Sequence, residues 1–554
     1  MQEEIVIEIK VCKHCSVSFD ITNKDLEFYD KVSPVFGWVK YNISSPTFCP
    51  DCRQQRRLSF RNERNLYHTK SDLSWKNLIS VYSPDKNYKV YSQDEWWSDK
   101  WNPLNYWREF DFNRSFFEQF EELFKTVPKV NIFWFGNDNC DYTNYLWNSK
   151  NSYLTVAWVE MENILYSFWI ANSKNCMDCY KSFDWENLFE CIDCKNCNNS
   201  VRLYGCQDCS DSYFLKNCIW CKDCIGCINL INKQYFIENK QYSKEDYFKV
   251  KSELKTNKIY DFPNKISKNL NNISCENCIW DYLINCKNVS YSYDSQEMNN
   301  CKFLYFWWNM SYCYDIDYDS WTSYCLEWLT WFKVSSSSFM NYCNESSFLY
   351  YCSNCFSSNN CFGCDWLRNA SYCIFNRQYT KEEYEILVPR IIEYMRTTWE
   401  WWEFFPTSIS PFWYNETVAN EYFPISKELS IWKWFKWSDY ENPAPVVSKT
   451  IPALKLLENI KDIPDDILNW AILCEITNKP FRIIKPELEF YRKHNLPIPR
   501  SHPDQRHLDR MKLRNPRKLY DRVCDKCWID MKTTYSHERE EIVYCEDCYN
   551  KEVY

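Results

Sequence analysis

Cysteine pairs of the form Cys-x-x-Cys recur along this chain and constrain its fold more than any other feature. The chain of 554 residues contains 33 cysteines. Four pairs in the middle of the chain carry an aspartate in the third position, and each begins 15 residues after the one before (176, 191, 206 and 221). A short fixed period of this kind indicates stacked structural repeats. The four are Cys176-Met-Asp-Cys179, Cys191-Ile-Asp-Cys194, Cys206-Gln-Asp-Cys209 and Cys221-Lys-Asp-Cys224.

Fifteen residues are too few for a pair of helices, so each repeat is expected to form one coil of a β-solenoid. Tyr, Phe, Ile and Leu between the cysteines suit short strands, and the Asn and Ser residues suit turns. The pattern occurs twice, because residues 227–245 match residues 364–382 at an offset of 137. The sequence therefore predicts a duplicated solenoid.

Each solenoid copy is expected to end in a helix that covers the open strand edges of the last coil. The first helix is opened by Ser243 with Asp246 three residues on, and the second by Thr380 with Glu383. Only the second pair makes a full capping box.

Two interpretations of the solenoid cysteines stay open. Adjacent pairs can bind metal, or the thiols fill a narrow interior as small apolar groups, which the extra cysteines at 197, 218 and 227 favour. The aspartates of the four pairs would stack like charges, so they either cap turn amides as Asx turns, which we expect, or hold a cation. The candidate ligands are Cys176, Cys179, Cys191, Cys194, Cys206, Cys209, Cys221 and Cys224.

Two further cysteine quartets lie at the ends of the chain. Cys12 and Cys15 precede Cys49 and Cys52 at the N-terminus. Four thiolates close a tetrahedral zinc site and leave no position for water. A second quartet stands at the C-terminus, so two structural zinc ions are expected. Its members are Cys524, Cys527, Cys545 and Cys548.

The two ends are copies of one module with two metal slots in tandem. Leu26-Glu-Phe-Tyr29 matches Leu488-Glu-Phe-Tyr491, and Ser71-Asp-Leu-Ser74 matches Cys524-Asp-Lys-Cys527. Each copy is expected to have kept one slot. The lost slots hold Ser71, Ser74, Ser92 and Glu95 in the N-terminal copy and Cys474, Thr477, His502 and Gln505 in the C-terminal copy.

Residues 10 to 57 resemble the zinc-ribbon family of treble-clef type. The resemblance rests on the two Cys-x-x-C pairs, on an intervening Phe and Glu-Phe-Tyr stretch, and on an arginine after the second pair, and it implies zinc binding. The whole chain is similar to a cysteine-rich family of small-genome bacteria to which no activity is assigned. The residues that carry the first resemblance are Cys12, Cys15, Phe19, Glu27, Phe28, Tyr29, Cys49, Cys52 and Arg53.

Basic runs follow both modules. Arginines presented by a zinc-held fold can contact phosphates, but they can equally pair with the acidic remainder of a chain whose net charge is −9. His502 and His507 suggest a nuclease-like site, against which we favour a leftover ligand position, because no partner acid and metal set is evident. The candidate nucleic-acid contacts are Arg53, Arg56, Arg57, Arg506, Arg510 and Arg514.

Glycine and tryptophan numbers are unusual, with 5 Gly and 28 Trp. At ordinary usage about 39 glycines are expected. Some bacterial lineages read UGA as glycine, and translation of such a gene with UGA as Trp produces this composition. Trp75, Trp402, Trp413 and Trp528 stand where a turn glycine is expected, whereas Trp96, Trp97 and Trp101 resemble ordinary aromatics.

The chain is expected to be a cytoplasmic bacterial protein without a secretory signal or a membrane span, because residues 1–10 are charged and no long apolar run occurs. The expected fold is mainly β with short helices, with zinc-ribbon modules at both ends of a duplicated cysteine-rich solenoid. The expected units are an N-terminal module with a degenerate second ribbon at 1–130, solenoids with helices at 131–260 and 261–405, a linker at 406–470 and a C-terminal module at 471–554.

The expected function is that of a zinc-binding, non-catalytic scaffold whose partner is RNA, the ribosome or a protein. The sequence has no Gly-rich phosphate loop, nucleophile elbow or His-Glu-x-x-His motif. Two alternatives stay open. One is an enzyme of unknown reaction, because similar sequences carry a CoA-transferase label that no motif here supports. The other is a metal or thiol buffer.

Overall fold

The computed structural model describes residues 4–253, 266–303, 314, 316–320, 328–332 and 334–553. It is mainly β, with a solenoid in the middle of the chain and a four-cysteine cluster near each terminus, which confirms the predicted fold class. The helices of the described part are Asn23–Val32, Pro50–Leu58, Gln93–Trp96, Phe116–Thr126, Lys244–Ser252, Lys381–Thr397, Val418–Tyr422, Lys427–Trp432, Lys485–His494, Pro503–Leu513 and Glu546–Val553.

Coils of the first solenoid contain twelve residues, and the second solenoid begins with a step of eleven, from Ile273 to Ile284. Parallel register pairs Glu162 with Lys174, Lys174 with Glu186, and Glu186 with Asn198. The predicted coil of fifteen residues is therefore wrong. The Cys-x-Asp-Cys pairs recur every 15 residues, which is one coil of twelve residues plus one side of three. Each pair therefore lies one side further around the coil than the pair before it.

The corners of the coil are residues in the left-handed backbone conformation. In one coil these are Asn163, Tyr166, Trp169 and Asn172, with φ between 50° and 60°. Asparagine and aspartate tolerate this conformation best among residues with side chains, which explains why they are frequent at the corners, although Tyr166 and Trp169 also adopt it. Stacked corner asparagines bond to one another, as Asn163 Nδ2 does to Asn175 Oδ1 at 2.9 Å.

The residue after each corner points inward. Ile164, Ser167, Ile170 and Ser173 fill the interior of one coil and are fully buried. The interior is narrow, so small side chains alternate with Leu and Ile.

Parallel strands run along the sides of both solenoids. In the first they are Trp134–Phe135, Asn144–Trp147, Val156–Val159, Glu162–Leu165, Phe168–Ala171, Lys174–Met177, Tyr180–Phe183, Glu186–Phe189, Asn198–Tyr204, Tyr213–Lys216, Lys222–Ile225 and Gln234–Ile237, closed by antiparallel Lys240–Gln241. In the second they are Leu283–Ile284, Ser295–Gln296, Ile316–Ser320, Trp328–Phe332, Ser347–Tyr350, Asn359–Phe362 and Ser371–Ile374, closed by antiparallel Arg377–Gln378.

The helices that follow the two solenoids begin with the predicted caps. Ser243 Oγ accepts from Asp246 N–H, and Thr380 with Glu383 forms a complete capping box. Tyr247 of the first helix is fully buried against Ile225 and Ile237 of the last coils. Both capping predictions are confirmed.

Aromatic residues fill the space where the two solenoids and the N-terminal region meet. Tyr145 of the first solenoid and Tyr342 of the second stack with ring centroids 5.5 Å apart, and Phe133 lies 5.4 Å from Tyr342. The Arg61 guanidinium donates to the Tyr342 hydroxyl at 2.6 Å. This core joins the N-terminal module to both solenoids.

The terminal modules are built from short hairpins and helices. At the N-terminus the paired strands are Val6–Val11 with Ser18–Thr22, Val35–Phe36 with Val39–Lys40, Tyr67–Lys70 with Asn77–Ser80, and Val90–Tyr91 with Lys129–Val130. At the C-terminus they are Lys449–Pro452, Trp470–Leu473 and Pro480–Phe481 in one sheet, Tyr520–Val523 with Asp530–Thr533, and Ile542–Tyr544 with Ile266–Lys268.

Candidate metal centres

The N-terminal cysteines converge at one point between a hairpin and a helix. Cys12 and Cys15 lie in the turn of the hairpin, where Cys12 N–H donates to Val17 O at 2.9 Å. Cys49 is the N-cap of the helix Pro50–Leu58, and Cys52 lies in its first turn. The four sulfur atoms lie within 4.8 Å of one another, with Cys15 Sγ and Cys49 Sγ 3.6 Å apart. Metal–sulfur bonds of about 2.3 Å in a tetrahedron place sulfur atoms about 3.8 Å apart, so this donor set fits one ion.

The C-terminal quartet has the same construction. Cys524 and Cys527 lie in the turn between Tyr520–Val523 and Asp530–Thr533. Cys545 directly precedes the helix Glu546–Val553, which contains Cys548. Cys527 Sγ and Cys545 Sγ are 3.7 Å apart, and all four sulfur atoms lie within 4.8 Å of one another.

Backbone amides stabilise the anionic form of one sulfur in the C-terminal cluster. Cys545 N–H donates to Cys524 Sγ at 3.2 Å. Burial raises the pKa of Cys524, but the N–H groups of Cys527 and Cys545 outweigh it and lower the pKa to about 6. Burial raises the pKa of Cys545 and Cys548, so Cys524 is the member of this cluster that the backbone favours as a thiolate, the form that binds metal.

The duplicated module is visible in its backbone hydrogen bonds. Asp525 N–H donates to Val543 O at 3.0 Å, and Val543 N–H donates to the Asp525 carboxylate at 2.6 Å. Asp72 and Val90 make the same two bonds, at 2.9 and 2.7 Å. The second slot of the N-terminal copy has therefore kept the fold of the metal slot, as the duplication predicts.

Hydrogen bonds hold the N-terminal slot that has lost its cysteines. Ser71 donates its hydroxyl to Glu95, and the same carboxylate accepts from Ser92 N–H at 3.0 Å. Burial raises the pKa of Glu95, but bonds from Ser71, Ser74 and Ser92 outweigh it and lower the pKa to about 2. A carboxylate among hydroxyl groups here occupies the place that the four cysteines hold in the C-terminal copy.

The other lost slot is held by capping and packing. Cys474 Sγ accepts from Thr477 N–H at 3.4 Å, and His502 is the N-cap of Pro503–Leu513, where its Nδ1 accepts from Asp504 N–H at 3.1 Å. Gln505 donates to Asp509 instead of pointing to Cys474. Within the described part of the chain, these four residues do not form a cluster of metal ligands.

His507 lies inside the molecule and not at an open site. Its ring packs on Phe168 with centroids 4.4 Å apart, and neither nitrogen has a hydrogen-bond partner among the described residues. Burial, reinforced by Arg64 and Arg510, lowers the pKa of His507 well below its usual range. The lowered pKa favours the neutral imidazole, whose Nε2 lies 3.5 Å from the Glu421 carboxylate, whereas His502 caps the helix.

The solenoid cysteines line the interior of the coils. Their thiols donate to the backbone carbonyl two residues earlier, as Cys194 does to Ile192 O at 3.1 Å. Serines at equivalent positions do the same, as Ser167 does to Leu165 O at 2.8 Å. Cysteine and serine thus occupy one kind of interior slot that needs a small side chain with a proton to donate.

Successive cysteines of the solenoid do not gather around a point. Coil register stacks Cys194 on Cys206 and then Cys218, and stacks Cys197 on Cys209 and then Cys221. Among the residues that the structure describes, only the two terminal quartets bring three or more potential ligands within 4.8 Å of one another. Neither group contains any of the eight solenoid cysteines considered as metal ligands, which are Cys176, Cys179, Cys191, Cys194, Cys206, Cys209, Cys221 and Cys224.

The aspartates of the Cys-x-Asp-Cys pairs do not stack on one another. Each occupies a left-handed corner, and the displacement of one corner per pair separates their charges. Asp178 accepts from Arg506 and Arg510 at 2.8 and 2.7 Å, while Asp193 accepts from Arg514 at 2.9 Å. The expected column of like charges is therefore wrong, and the sequence pattern gave no sign that arginines would bind these carboxylates.

The six arginines considered for nucleic-acid contact lie inside the molecule. Arg57 is fully buried in the helix Pro50–Leu58, and Arg56 lies 3.3 Å from Glu403. Arg53 donates to Phe48 O at 2.9 Å. Arg506, Arg510 and Arg514 join the C-terminal module to the first solenoid. All six are buried: Arg53, Arg56, Arg57, Arg506, Arg510 and Arg514.

A third acidic residue, after Asp178 and Asp193, completes this contact between the module and the solenoids. Asp294 of the second solenoid binds Lys181 at 2.7 Å and Arg517 at 3.0 Å, and it also pairs with Arg514. Burial raises the pKa of Asp294, but the charges of Arg514, Lys181 and Arg517 outweigh it and hold the pKa well below its usual range. Sequence reasoning missed Asp294, because nothing in its neighbourhood distinguishes it from other corner aspartates.

Backbone and exposure do not sort all tryptophans into two sets, because Trp169 and Trp366 are buried although their φ values are 60° and 55°. Trp75 directly follows Ser74, and Trp528 directly follows the equivalent Cys527. Their φ values are 62° and 63°, and their indoles are about three-quarters exposed. Trp402 also has a positive φ, of 67°. Trp96 and Trp101 are buried at ordinary φ, as expected.

Trp413 contradicts the expectation of a turn glycine. Its φ is −75° and its indole is half-buried. The indole Nε1 lies 3.5 Å from Asp85, and Lys86 lies over the ring. These contacts are those of a genuine aromatic side chain.

No protein-family model matches this chain, and no curated protein matches it either. In the described part of the chain, none of the helices combines the length and the apolar character needed to cross a bilayer.

Proposed function

We propose that this chain is a non-catalytic scaffold protein that two structural zinc ions hold together. The observation that carries the proposal is the pair of closed four-cysteine clusters, one near each end of the chain. Four protein ligands fill a tetrahedral coordination sphere, so neither ion would have an open position for substrate or activated water. Such ions stabilise a fold and do not act on a substrate.

The donor chemistry supports zinc as the ion. Four thiolates on flexible knuckles suit zinc or iron, whereas calcium, magnesium and manganese prefer oxygen ligands. Zinc needs no particular redox state and accepts the tetrahedral arrangement that hairpin and helix supply. We therefore propose one zinc ion bound by Cys12, Cys15, Cys49 and Cys52 and another bound by Cys524, Cys527, Cys545 and Cys548.

The zinc-held modules fix the solenoids in place. The helix Pro503–Leu513 directs Arg506 and Arg510 to Asp178, and the residue after the helix, Arg514, reaches Asp193. Charged pairs that are this deeply buried specify one geometry of docking more than they add stability. What the modules leave exposed is the repetitive outer surface of the solenoids, which in such folds serves as an extended binding platform.

A zinc count on the intact chain tests the proposal. Purified protein should contain two zinc ions per chain, and Cys49→Ser or Cys545→Ser should each remove one. The matched control is Cys209→Ser, which changes a thiol in an interior slot that accepts serine elsewhere in the solenoid. Its zinc content should stay at two.

Other outcomes would reject the proposal in distinct ways. A zinc content well above two ions per chain, which decreases in the Cys209→Ser variant, would show that the solenoid thiols store metal. Unchanged zinc in both Cys49→Ser and Cys545→Ser would remove the terminal sites as ligands. Iron in place of zinc would replace the structural role with a redox one.

A further inference from the structure

Lys129 and Asp365 form a charged pair that the protein encloses completely. Lys129 Nζ lies 2.8 Å from Asp365 Oδ2, and neither side chain has any exposed surface. The two residues are 236 positions apart in the sequence. Lys129 lies in a strand that pairs with Val90–Tyr91 of the N-terminal module, and Asp365 lies in a coil of the second solenoid. The pair therefore connects two units of the molecule.

Aromatic rings and fixed backbone surround the amine of this pair. Lys129 Nζ lies 3.7 Å from the centre of the Phe124 ring and 5.8 Å from that of the Tyr88 ring. It also donates to Phe124 O. The Lys129 backbone is held as well, because its N–H donates to Lys89 O at 2.8 Å. These contacts keep water from the amine and fix its position.

The carboxyl group of Asp365 is only half satisfied. Its Oδ2 accepts from Lys129, whereas its Oδ1 is buried and has no hydrogen-bond partner among the described residues. The Asp365 backbone is nevertheless held in place, since its N–H donates to Oδ1 of the buried Asn376 at 3.0 Å. A charged carboxylate has room for several hydrogen bonds, so one that is buried with a single donor is costly.

Burial moves both members of the pair towards their neutral forms. It raises the pKa of Asp365 to about 6, although the charge of Lys129 acts in the opposite direction. It also lowers the pKa of Lys129, although Asp365 acts in the opposite direction. A neutral amine has a free electron pair and is a nucleophile, and a neutral carboxylic acid has a hydroxyl group that can leave as water.

An amine and a carboxylic acid held in this way can condense to an amide. Since Oδ2 is 2.8 Å from Nζ, the carboxyl carbon lies about 3 to 4 Å from Nζ, close to the separation of reacting atoms. The nitrogen electron pair forms a bond to Asp365 Cγ, and the bond from Cγ to one carboxyl oxygen breaks. That oxygen leaves as water, with its own proton and one proton of the amine. The reaction consumes no oxidant, reductant or further reactant.

The product fits the same surroundings better than the two charges do. An amide keeps one N–H, for which Phe124 O remains an acceptor, and it leaves no charge in the interior. The enclosed site also withholds the water that hydrolysis would need. We propose that Lys129 Nζ and Asp365 Cγ become joined by an amide bond, which links the N-terminal module covalently to the second solenoid.

A second buried pair provides a comparison within the same molecule. Lys181 Nζ lies 2.7 Å from Asp294 Oδ1, an equally short contact. Asp294 also pairs with Arg514 and Arg517, and these charges together with Lys181 hold its pKa well below the usual range in spite of burial. A carboxylate that is kept ionised has no hydroxyl group to lose. Lys181 and Asp294 should therefore remain unlinked.

The intact mass of the full-length protein, reduced and then unfolded in acid, tests the proposal. It should be about 18 Da below the mass of the sequence, the loss of one water. After digestion with trypsin, Lys129 and Asp365 should occur in one branched peptide that is uncut after Lys129, whereas Lys181 and Asp294 should occur in separate peptides. A mass equal to that of the sequence would overturn the proposal. So would a loss of water that the peptides place at any other pair.

Substitutions assign the reaction to its two atoms. Lys129→Arg and Asp365→Ala should each have the full mass of their own sequences, because a guanidinium is not deprotonated in proteins and alanine has no carboxyl group. Lys181→Arg is the matched control and should still lack about 18 Da. A water loss that persists in Lys129→Arg or in Asp365→Ala would contradict the assignment. Where a variant does not fold, the branched peptide of the unchanged protein decides, since its presence supports the link and its absence excludes it.

Discussion

Ser71 donates its hydroxyl to Glu95 at the place where the equivalent residues Cys524 and Cys548 bring their thiols together. The same hairpin, the same Asp–Val backbone bonds and the same helix N-terminus surround both pairs. One fold of the knuckle thus accommodates two sets of side chains, a cluster of four cysteines that could hold a metal ion and a carboxylate among hydroxyl groups.

Restoring four cysteines to the lost slot should restore its metal. The variant that combines Ser71→Cys, Ser74→Cys, Ser92→Cys and Glu95→Cys should bind a third zinc ion, because the backbone already has the geometry of a zinc knuckle. Zinc per chain measured by mass spectrometry of the elements checks this. Alanine at the same four positions serves as the control and should leave the count at two, and a cysteine variant that also stays at two would contradict the equivalence of the slots.

Glu95 should make stability depend on acid pH. Its folded pKa is lowered to about 2 from an ordinary 4.5, so its contribution is complete above about pH 4.5 and is lost as the pH falls toward 2. The unchanged protein should be more stable than Glu95→Gln at pH 6, and the difference should shrink at pH 3. Urea unfolding midpoints at the two pH values measure it, and a difference that does not vary with pH would show that the carboxylate charge is irrelevant.

Asp178 should be essential for docking of the C-terminal module. Asp178→Asn leaves Arg506 and Arg510 buried without their shared carboxylate, a change that costs about 3–5 kcal/mol in comparable buried pairs. Urea unfolding should show this loss. Asp184→Asn is the matched control, because Asp184 is also a left-handed corner aspartate but is exposed, and its substitution should stay within about 0.5 kcal/mol. Equal effects of the two substitutions would mean that the contact of Asp178 with Arg506 and Arg510 does not hold the module in place.

Trp75 and Trp528 should be better replaced by glycine. Both are exposed at positive φ, so Trp75→Gly and Trp528→Gly remove backbone strain of about 1 kcal/mol without losing packing. Trp413→Gly should instead destabilise, because that residue has ordinary φ and contacts Lys86. Thermal unfolding of the three variants checks the signs.

Peptide sequencing of the protein from its native source gives a direct answer to the same question. Glycine at positions 75 and 528, with tryptophan kept at 96 and 101, would establish that UGA is read as glycine. Tryptophan at all four positions would remove recoding as the explanation of the composition.

Spacing alone was enough to predict the terminal sites, because a Cys-x-x-Cys turn and a helix N-terminus each place two sulfur atoms locally. Cys12 with Cys15 and Cys49 with Cys52 needed only one long-range contact to converge. The lost slot of Ser71 and Glu95 was predictable for the same reason, since its hairpin is copied from a metal site. Local geometry thus determined these features.

The coil length and the partners of the charged residues could not be predicted, because both depend on contacts between residues that are far apart in the sequence. The fifteen-residue recurrence of Cys176 and Cys191 concealed the coil, because the interior period is three residues and any multiple of three preserves it. Arg510 and Asp178 are 332 residues apart, so neither basic nor acidic runs could indicate which would meet. Burial of the arginines followed from that tertiary contact and not from their local composition.

The Cys-x-Asp-Cys motif recurs every 15 residues, whereas the coil recurs every 12. Each aspartate of the motif therefore lies one corner further around the solenoid than the aspartate before it. Asp178 and Asp193 reach the arginines of the C-terminal module, whereas Asp208 is exposed on another side and Asp223 faces Lys251. Deleting three residues between Asp178 and Asp193 would keep every inward side chain inward but would turn the later coils by one side. The interior would tolerate that deletion, but the later aspartates would no longer lie opposite the arginines. The length of this segment is therefore set by docking of the module and not by packing of the core.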